Sequence, residues 1–399
     1  MATTRTVVVA GAGIGGLTAS LALAAKGFRV VILEKVQRLE EVGAGLQLSP
    51  NASSVLVGLG LEPRLAPRAV TPEAISIISA RAGGEIARLP LGEAASARAG
   101  SPYWVMHRAD LQRALQAAVE DHPDIELRLG WQFEDIDDHA GELTVVARRG
   151  DARQHQVAAA LIGADGIWSS VRGRLFPELR PRFSGLIAWR GTLDAKVLPR
   201  GHTSPRVQLW MGPHAHLVAY PIAAAERINV VAIVPGTWNR PGWSEAGNAD
   251  EIKDAFSPAW PDTARTLIGA VEDWRRWALF TMGEVSEWSA GAAALLGDAV
   301  HGMLPFAAQG AGMAIEDAAV LADCLSGCTG EDISGIPAAL KRYTRLRRGR
   351  VDRVRRAAQR QGRIYHLTGP MALTRDLIIR AMGPRRMLAR QDWIYDWRA

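Results

Sequence analysis

The stretch TVVVAGAGIGGLTASLALAAKGFRVVILEK, from Thr6 to Lys35, constrains the fold more than any other part of the chain. Val7 to Ala10 is an apolar run with no polar interruption, the pattern of a buried parallel strand. Gly11, Gly13 and Gly16 follow at G-x-G-x-x-G spacing, and an Ala/Leu-rich helix is expected from there to about Lys26. Glycine permits the tight strand-to-helix turn, the approach of backbone to a phosphate and the packing of helix on strand. Ile14, Gly15 and Gly16 open the helix, so their free N–H groups face an anion. A second strand, Arg29 to Leu33, ends at Glu34, 18 residues past Gly16 and followed by Lys35. A carboxylate there suits the hydroxyls of an adenosine ribose. Because Glu34 is acidic, an unphosphorylated ribose is favoured, so FAD or NAD over NADP.

A chain of 399 residues is expected to form about two or three domains, or one large α/β body with an insertion. Hydrophobic residues at 48% and charged residues at 22% exclude a disordered chain and allow a sizeable core. Cys324 and Cys328 lie four apart on an expected helix face, and no second cysteine pair completes a metal site. They read as reduced core residues of a cytoplasmic protein. The first strand begins almost at once, leaving no room for a signal peptide, and no apolar run approaches the ~20 residues of a membrane span. The net charge of +6 owes much to KRYTRLRRGRVDRVRR from Lys341, which reads as a solvated helix face. That run offers a single aromatic, Tyr343, so nucleic-acid binding is not expected.

Further along, Gly43 and Gly45 give a flexible approach to a helix start at Ser49-Pro50-Asn51, and Gln47 projects from that loop toward a ligand. AISIISARAGGEIARLPL alternates on either side of Gly83-Gly84, a β-hairpin pattern that interrupts the α/β alternation. Arg108 precedes a helix from about Ala109 to Asp121 and could meet a cofactor phosphate or ribityl chain. Strands near 125–129, 131–137 and 143–148 are expected to form a small meander. Asp165-Gly166 then stands at the end of a buried strand, where open α/β sheets bind ligands. From Arg182 to Val234 the text is strand-rich, and His216 and Tyr220, four apart on one strand, share a face. A histidine and a phenol on one face can act as an acid–base pair, the alternative being a structural histidine, and Arg190 suits either a substrate carboxylate or a place on the surface. Finally Gly297-Asp298 ends a strand, Pro305 and Gln309 lie in an apolar loop, and Gly310, Ala311 and Gly312 open a helix to about Leu325. These are further N–H groups aimed at something electron-rich.

The G-x-G-x-x-G unit with Glu34, GADGIWSSVR at 163–172 and GDAVHGMLPFAAQGAGMAIEDA at 297–318 together resemble the group A flavoprotein monooxygenases, nearest their salicylate hydroxylase and 3-hydroxybenzoate 6-hydroxylase branch. The resemblance implies an α/β protein. It has a Rossmann-like FAD-binding domain of the p-hydroxybenzoate hydroxylase type, an interleaved β-sheet substrate domain and C-terminal helices. On this basis 1–73, 101–181 and 272–335 bind FAD, 74–100 and 182–271 hold substrate, and 336–399 form the helical end. It places FAD pyrophosphate at Gly11 to Gly16 and the ribityl chain near Asp298. Gln47, Arg108 and Gly310 to Gly312 lie along the flavin, and Asp165 serves both FAD and a visiting NADH or NADPH.

The implied reaction uses O2 and NAD(P)H to hydroxylate a small phenolic carboxylate through a flavin C4a-hydroperoxide. His216, Tyr220 and Gln309 would surround the substrate hydroxyl, with His216 as base near its usual pKa of ~6.5. A hydroxynicotinate-like acid or polyketide-type phenol is the alternative substrate, a flavin oxidase or dehydrogenase the more remote reading, and a homodimer the expected assembly. Gly302 replaces a frequent family proline, which predicts a looser loop.

Overall fold

The computed structural model describes residues 5–39, 45–81, 83–92, 100–139, 142–198, 205–240, 242–256, 260–328 and 334–398. Its first sheet has six strands in the order Ser289–Ala290, Ala293–Leu295, Ala160–Gly163, Thr6–Ala10, Arg29–Glu34 and Ile125–Leu129. Thr6–Ala10 is flanked on both sides by parallel partners, which is why Val7, Val8 and Val9 are completely buried. The parallel strands end together, so Gly11, Glu34, Asp165 and Gly297-Asp298 lie along one edge of the sheet. Helices Ile14–Ala25, Arg108–Glu120 and Gly310–Leu325 cover this sheet's core.

Ile125–Leu129 belongs to this sheet, paired in parallel with Arg29–Glu34, and not to the expected meander. The helix Arg108–Glu120 completes a crossover that carries the chain back to the open edge. The meander consists of Gln132–His139, Glu142–Arg149 and the unforeseen Ala152–Ala158.

The second sheet has eight strands in the order Ser244–Gly247, Trp274–Thr281, Arg182–Asp194, Arg227–Pro235, His216–Ile222, Arg206–Met211, Ala74–Ser79 and Glu85–Pro90. The hairpin formed by the last two turns through Gly83 at φ +66° and joins the sheet by parallel pairing with Arg206–Met211. Helices Ala249–Ala255 and Asp262–Gly269 bury Phe256 and Leu267 with Trp189, Trp210 and Trp274. Ala188 and Ile233 pack instead with Phe306 and Ala358, closing the sheet onto the first half of the molecule.

Helix Ile336–Tyr365 contains the basic run, and the reading of that run as a solvated face fails for part of it. Arg347 is 1% exposed and Arg355 is also buried, because buried carboxylates on a neighbouring helix neutralise Arg347. Cys324 and Cys328 are buried and not joined in a disulfide, although Cys328 lies past the helix end in a 3-10 turn. Among the described residues no helix is long and apolar enough to cross a membrane, and no cluster of His, Cys, Asp and Glu could hold a metal.

Candidate cofactor and substrate cleft

At the sheet edge the glycines do separate jobs. Gly11 has φ +104°, and a Cβ there would lie 2.5 Å from Ala164 O. At Gly16 a Cβ would fall 1.9 Å from Gly11 O, so helix and turn touch only because it is absent. Gly13 differs, since a Cβ there would meet nothing within 4 Å. The space over Gly13 is therefore open to a ligand. The first helical bond runs from Leu17 N to Gly13 O, which leaves the N–H groups of Ile14, Gly15 and Gly16 outside the ladder.

Glu34 accepts from Ala12 N at 2.8 Å and from Val36 N at 3.1 Å, which fixes the carboxylate beside the glycine turn. Gly11, Gly13, Glu34, Lys35 and Asp165 line one cavity of about 240 Å³. Asp165 Oδ2 accepts from Ser170 N at 2.7 Å, while its Oδ1 is buried with no partner among the described residues. Burial raises the Asp165 pKa despite the hydrogen bonds that oppose it.

Arg108 and Asp298, at the ends of different strands, lie near enough for their charges to interact. Arg108 keeps solvent access but is crowded by protein. Desolvation lowers its pKa, and the Asp298 carboxylate acts against that shift. Gln47 Oε1 accepts from the Tyr103 hydroxyl at 2.7 Å. Gly45 is packed against Tyr220 and Asn229, and Gly43, its companion in the expected approach, lies outside the described residues.

Gln309 has a more constrained place than its sequence suggested. Its Nε2 donates to Ser49 Oγ at 2.8 Å, and its Oε1 accepts from Asn51 Nδ2 at 3.1 Å. Each end of the amide is thus tied once, which fixes its orientation and leaves one N–H and one lone pair for any further contact. Gln309 belongs to a buried network that sequence reasoning missed. Asn51 Nδ2 also donates to Glu316 at 2.6 Å, Arg347 bonds Glu316 and Asp317 at 2.7 Å each, and His301 Nε2 lies 2.5 Å from Asp317. Burial pushes the Asp317 pKa up, but His301 and Arg347 outweigh it and hold the carboxyl below its usual value. The network anchors the helix Gly310–Leu325, whose first bond is Met313 N to Gln309 O. Gly310, Ala311 and Gly312 thus keep N–H groups outside the ladder. The signal for the network was the pair Glu316-Asp317 inside an apolar helix, acids that a core tolerates only with cations.

Two loops are tied together by Arg172, also missed. Its guanidinium donates to Ala299 O at 2.7 Å and Ile167 O at 2.8 Å, joining the Asp165 and Asp298 segments. Gly302 is not in a looser loop as expected. It is buried, its carbonyl accepts from Met282 N at 2.8 Å, and a Cβ would lie 2.3 Å from Ile167 Cδ1. The glycine marks close packing.

In the cleft between the sheets, His216 is 2% exposed. Its Nδ1 lies 2.8 Å from His366 Nε2, and Phe306 and Tyr365 pack against its ring. The expectation of an ordinary imidazole pKa is overturned: burial, and then His366, lower it well below 6.5. His216 is neutral at pH 7. Tyr220 is buried on the same strand, and burial raises its pKa against the pull of Arg190. Arg190 stacks 6.0 Å from the Trp277 centroid, and its buried Nε has no partner among the described residues. Desolvation lowers its pKa, Tyr220 opposes that, and Arg108 adds to it.

A glycine-turn groove with free N–H groups and a carboxylate held beside it is the mark of a dinucleotide-binding protein, and the open space over Gly13 suits the pyrophosphate of FAD. The chain belongs to the FAD-dependent aromatic monooxygenases: the family described as FAD binding domain matches residues 4–358. It is 35% identical over 395 residues to 3-hydroxybenzoate 6-hydroxylase of Polaromonas naphthalenivorans, covering 98% of this chain and 96% of the relative. It is 36% identical, with the same coverage, to 3-amino-4-hydroxybenzoate 2-monooxygenase of Streptomyces platensis. Among solved structures, a salicylate hydroxylase substrate complex matches with a TM-score of 0.83 and 25% identity, over 99% of this chain and 96% of the other.

Proposed function

We propose that this enzyme uses NAD(P)H and O2 to hydroxylate the ring of a phenolic carboxylate of the hydroxybenzoate class. Bound FAD, at Gly11 to Gly16, Glu34, Arg108 and Asp298, supplies activated oxygen drawn from O2 with electrons from NAD(P)H. The work of the chain is to make the ring attackable. Neutral benzene carbons are weak nucleophiles, and removing the phenolic proton pushes electron density to the ortho and para positions.

The observation that carries the reading is the state of His216. Its Nδ1 is engaged by His366, so Nε2 is the atom left for a substrate proton, and its lowered pKa keeps it free to accept one. In this reading Tyr220 orients the hydroxyl and Arg190, whose buried Nε has no partner among the described residues, takes the carboxylate. Phe306 and Ile233, buried together, exclude water.

The division of labour we propose assigns FAD to 1–73, 101–181 and 282–335, substrate to 74–100 and 182–281, and a helical end to 336–399; the expected boundary at 272 falls too early, because Trp274–Thr281 pairs with Arg182–Asp194 in the eight-stranded sheet. We place the enzyme in the cytoplasm as a homodimer. Exposed Met371, Leu373, Leu377 and Ile378 on helix Gly369–Ala389 support the pairing, and sedimentation checks it.

The test is NADH consumption and product mass across hydroxybenzoate isomers and hydroxynicotinates. One hydroxybenzoate should stimulate NADH use and gain one oxygen, and His216→Ala should cut that product by roughly 100-fold or more. Undiminished hydroxylation by His216→Ala would remove His216 from the role of base, and preference for a hydroxynicotinate would replace the substrate class.

A further inference from the structure

The proton taken from the phenol has no resting place on His216. Three histidines from two parts of the chain form a graded series there. His216 is buried on its strand, His366 is half-buried at the C-terminal end of helix Ile336–Tyr365, and His214 is exposed. His216 Nδ1 and His366 Nε2 are 2.8 Å apart, and the two rings lie 5.0 Å apart between centroids. His214 holds a left-handed backbone, φ 58°, an uncommon conformation for a non-glycine residue, and its N–H donates to His366 O at 3.4 Å. It is close enough for its charge to act on the His366 ring. Phe306 and Tyr365 complete the surroundings of His216, and the Tyr365 hydroxyl lies 3.5 Å from Phe306 O. Among the described residues no carboxylate bonds any of these rings, which leaves an imidazolium there without a counter-charge.

We propose that His366 is a proton-relay residue, carrying the phenolic proton from His216 to solvent beside His214. This deepens the reading of His216 as base and rests on it. The substrate O–H bond breaks as an N–H bond forms on His216 Nε2. The proton on His216 Nδ1 passes to His366 Nε2, and the proton on His366 Nδ1 leaves to water or His214. Each ring exchanges one proton for another, so neither holds a positive charge in the dry cleft. When the product is released as a phenol, transfer in the reverse direction restores both tautomers.

The test uses FAD-loaded enzyme mixed without oxygen with 3-hydroxybenzoate or 4-hydroxybenzoate. Phenolate absorbance reports ionisation, and a pH-indicator dye in weak buffer reports proton release. Wild type should show both together. His366→Gln keeps a hydrogen-bonding side chain but cannot pass a proton through. It should slow both signals roughly tenfold or more while binding substrate as wild type does, and added imidazole should restore them in part. His214→Ala, on the surface, should slow both signals together and by less than His366→Gln does.

Wild-type rates in His366→Gln, or slow rates that imidazole leaves unchanged, would overturn the relay. Loss of ionisation in His216→Ala with wild-type rates in His366→Gln would keep the base and remove the relay. Wild-type ionisation in His216→Ala, or no ionisation of either phenol by wild type, would remove both.

Discussion

The groove at the sheet edge and the cleft beneath the second sheet make their contacts from different materials. The groove offers backbone: free N–H groups at two helix starts and glycines whose missing Cβ atoms leave space. The cleft offers side chains, His216, Tyr220 and Arg190, each buried and each altered in proton affinity by what surrounds it. Backbone positions follow from local sequence. Side-chain chemistry in the cleft depends on partners up to 150 residues away, as the contact of His216 with His366 shows.

The largest expected effect breaks the groove outright. Gly16→Ala sets a Cβ against Gly11 O and should yield little folded, yellow protein. Gly13→Ala meets no protein atom. It should fold with a normal Tm and lose FAD affinity by roughly tenfold or more, the worth of one charge-assisted hydrogen bond. If the two variants behaved alike, the division between packing glycine and ligand glycine would be wrong.

Next in size, Arg347→Met leaves Glu316 and Asp317 short of a buried cation. Denaturation should show a loss of about 3–5 kcal/mol. Arg190→Gln sharpens the comparison from the other side. It should raise KM for a hydroxybenzoate roughly 10- to 100-fold, with little change for the phenol lacking a carboxylate.

The smallest effect is in pH dependence. The folded-state pKa of His216 lies well below its ordinary value, and that of His366 falls to about 4 through burial and then His214. Below about pH 6.5 the unfolded imidazoles bind protons that the folded ones do not, so stability is full above that pH and declines as pH falls toward 4. His216→Phe should flatten the slope in a series of melting curves between those limits.

The βαβ unit, the hairpin about Gly83 and the strand-rich stretch from Arg182 to Pro235 were all legible, because each has its own periodicity and turn residues. Ile125–Leu129 was assigned to the wrong neighbours. A strand's alternation says which face is buried and nothing about which edge it meets. Arg347 was read as solvated because a charge run carries no mark of the acids that will neutralise it. Gly302 misled for a similar reason, as Ile167 fills the space beside it from another loop.

By itself the sequence determined where backbone donors would be presented, since glycine spacing and strand length act over a few residues. Tertiary structure alone decided the chemistry of the cleft: that His216 is neutral and tied to His366, that Gln309 is bonded to Ser49 and Asn51, and that Arg190 Nε is buried with no partner among the described residues. Proton affinity and hydrogen-bond commitment depend on desolvation and on the few ångströms between groups that the chain brings together only when it folds.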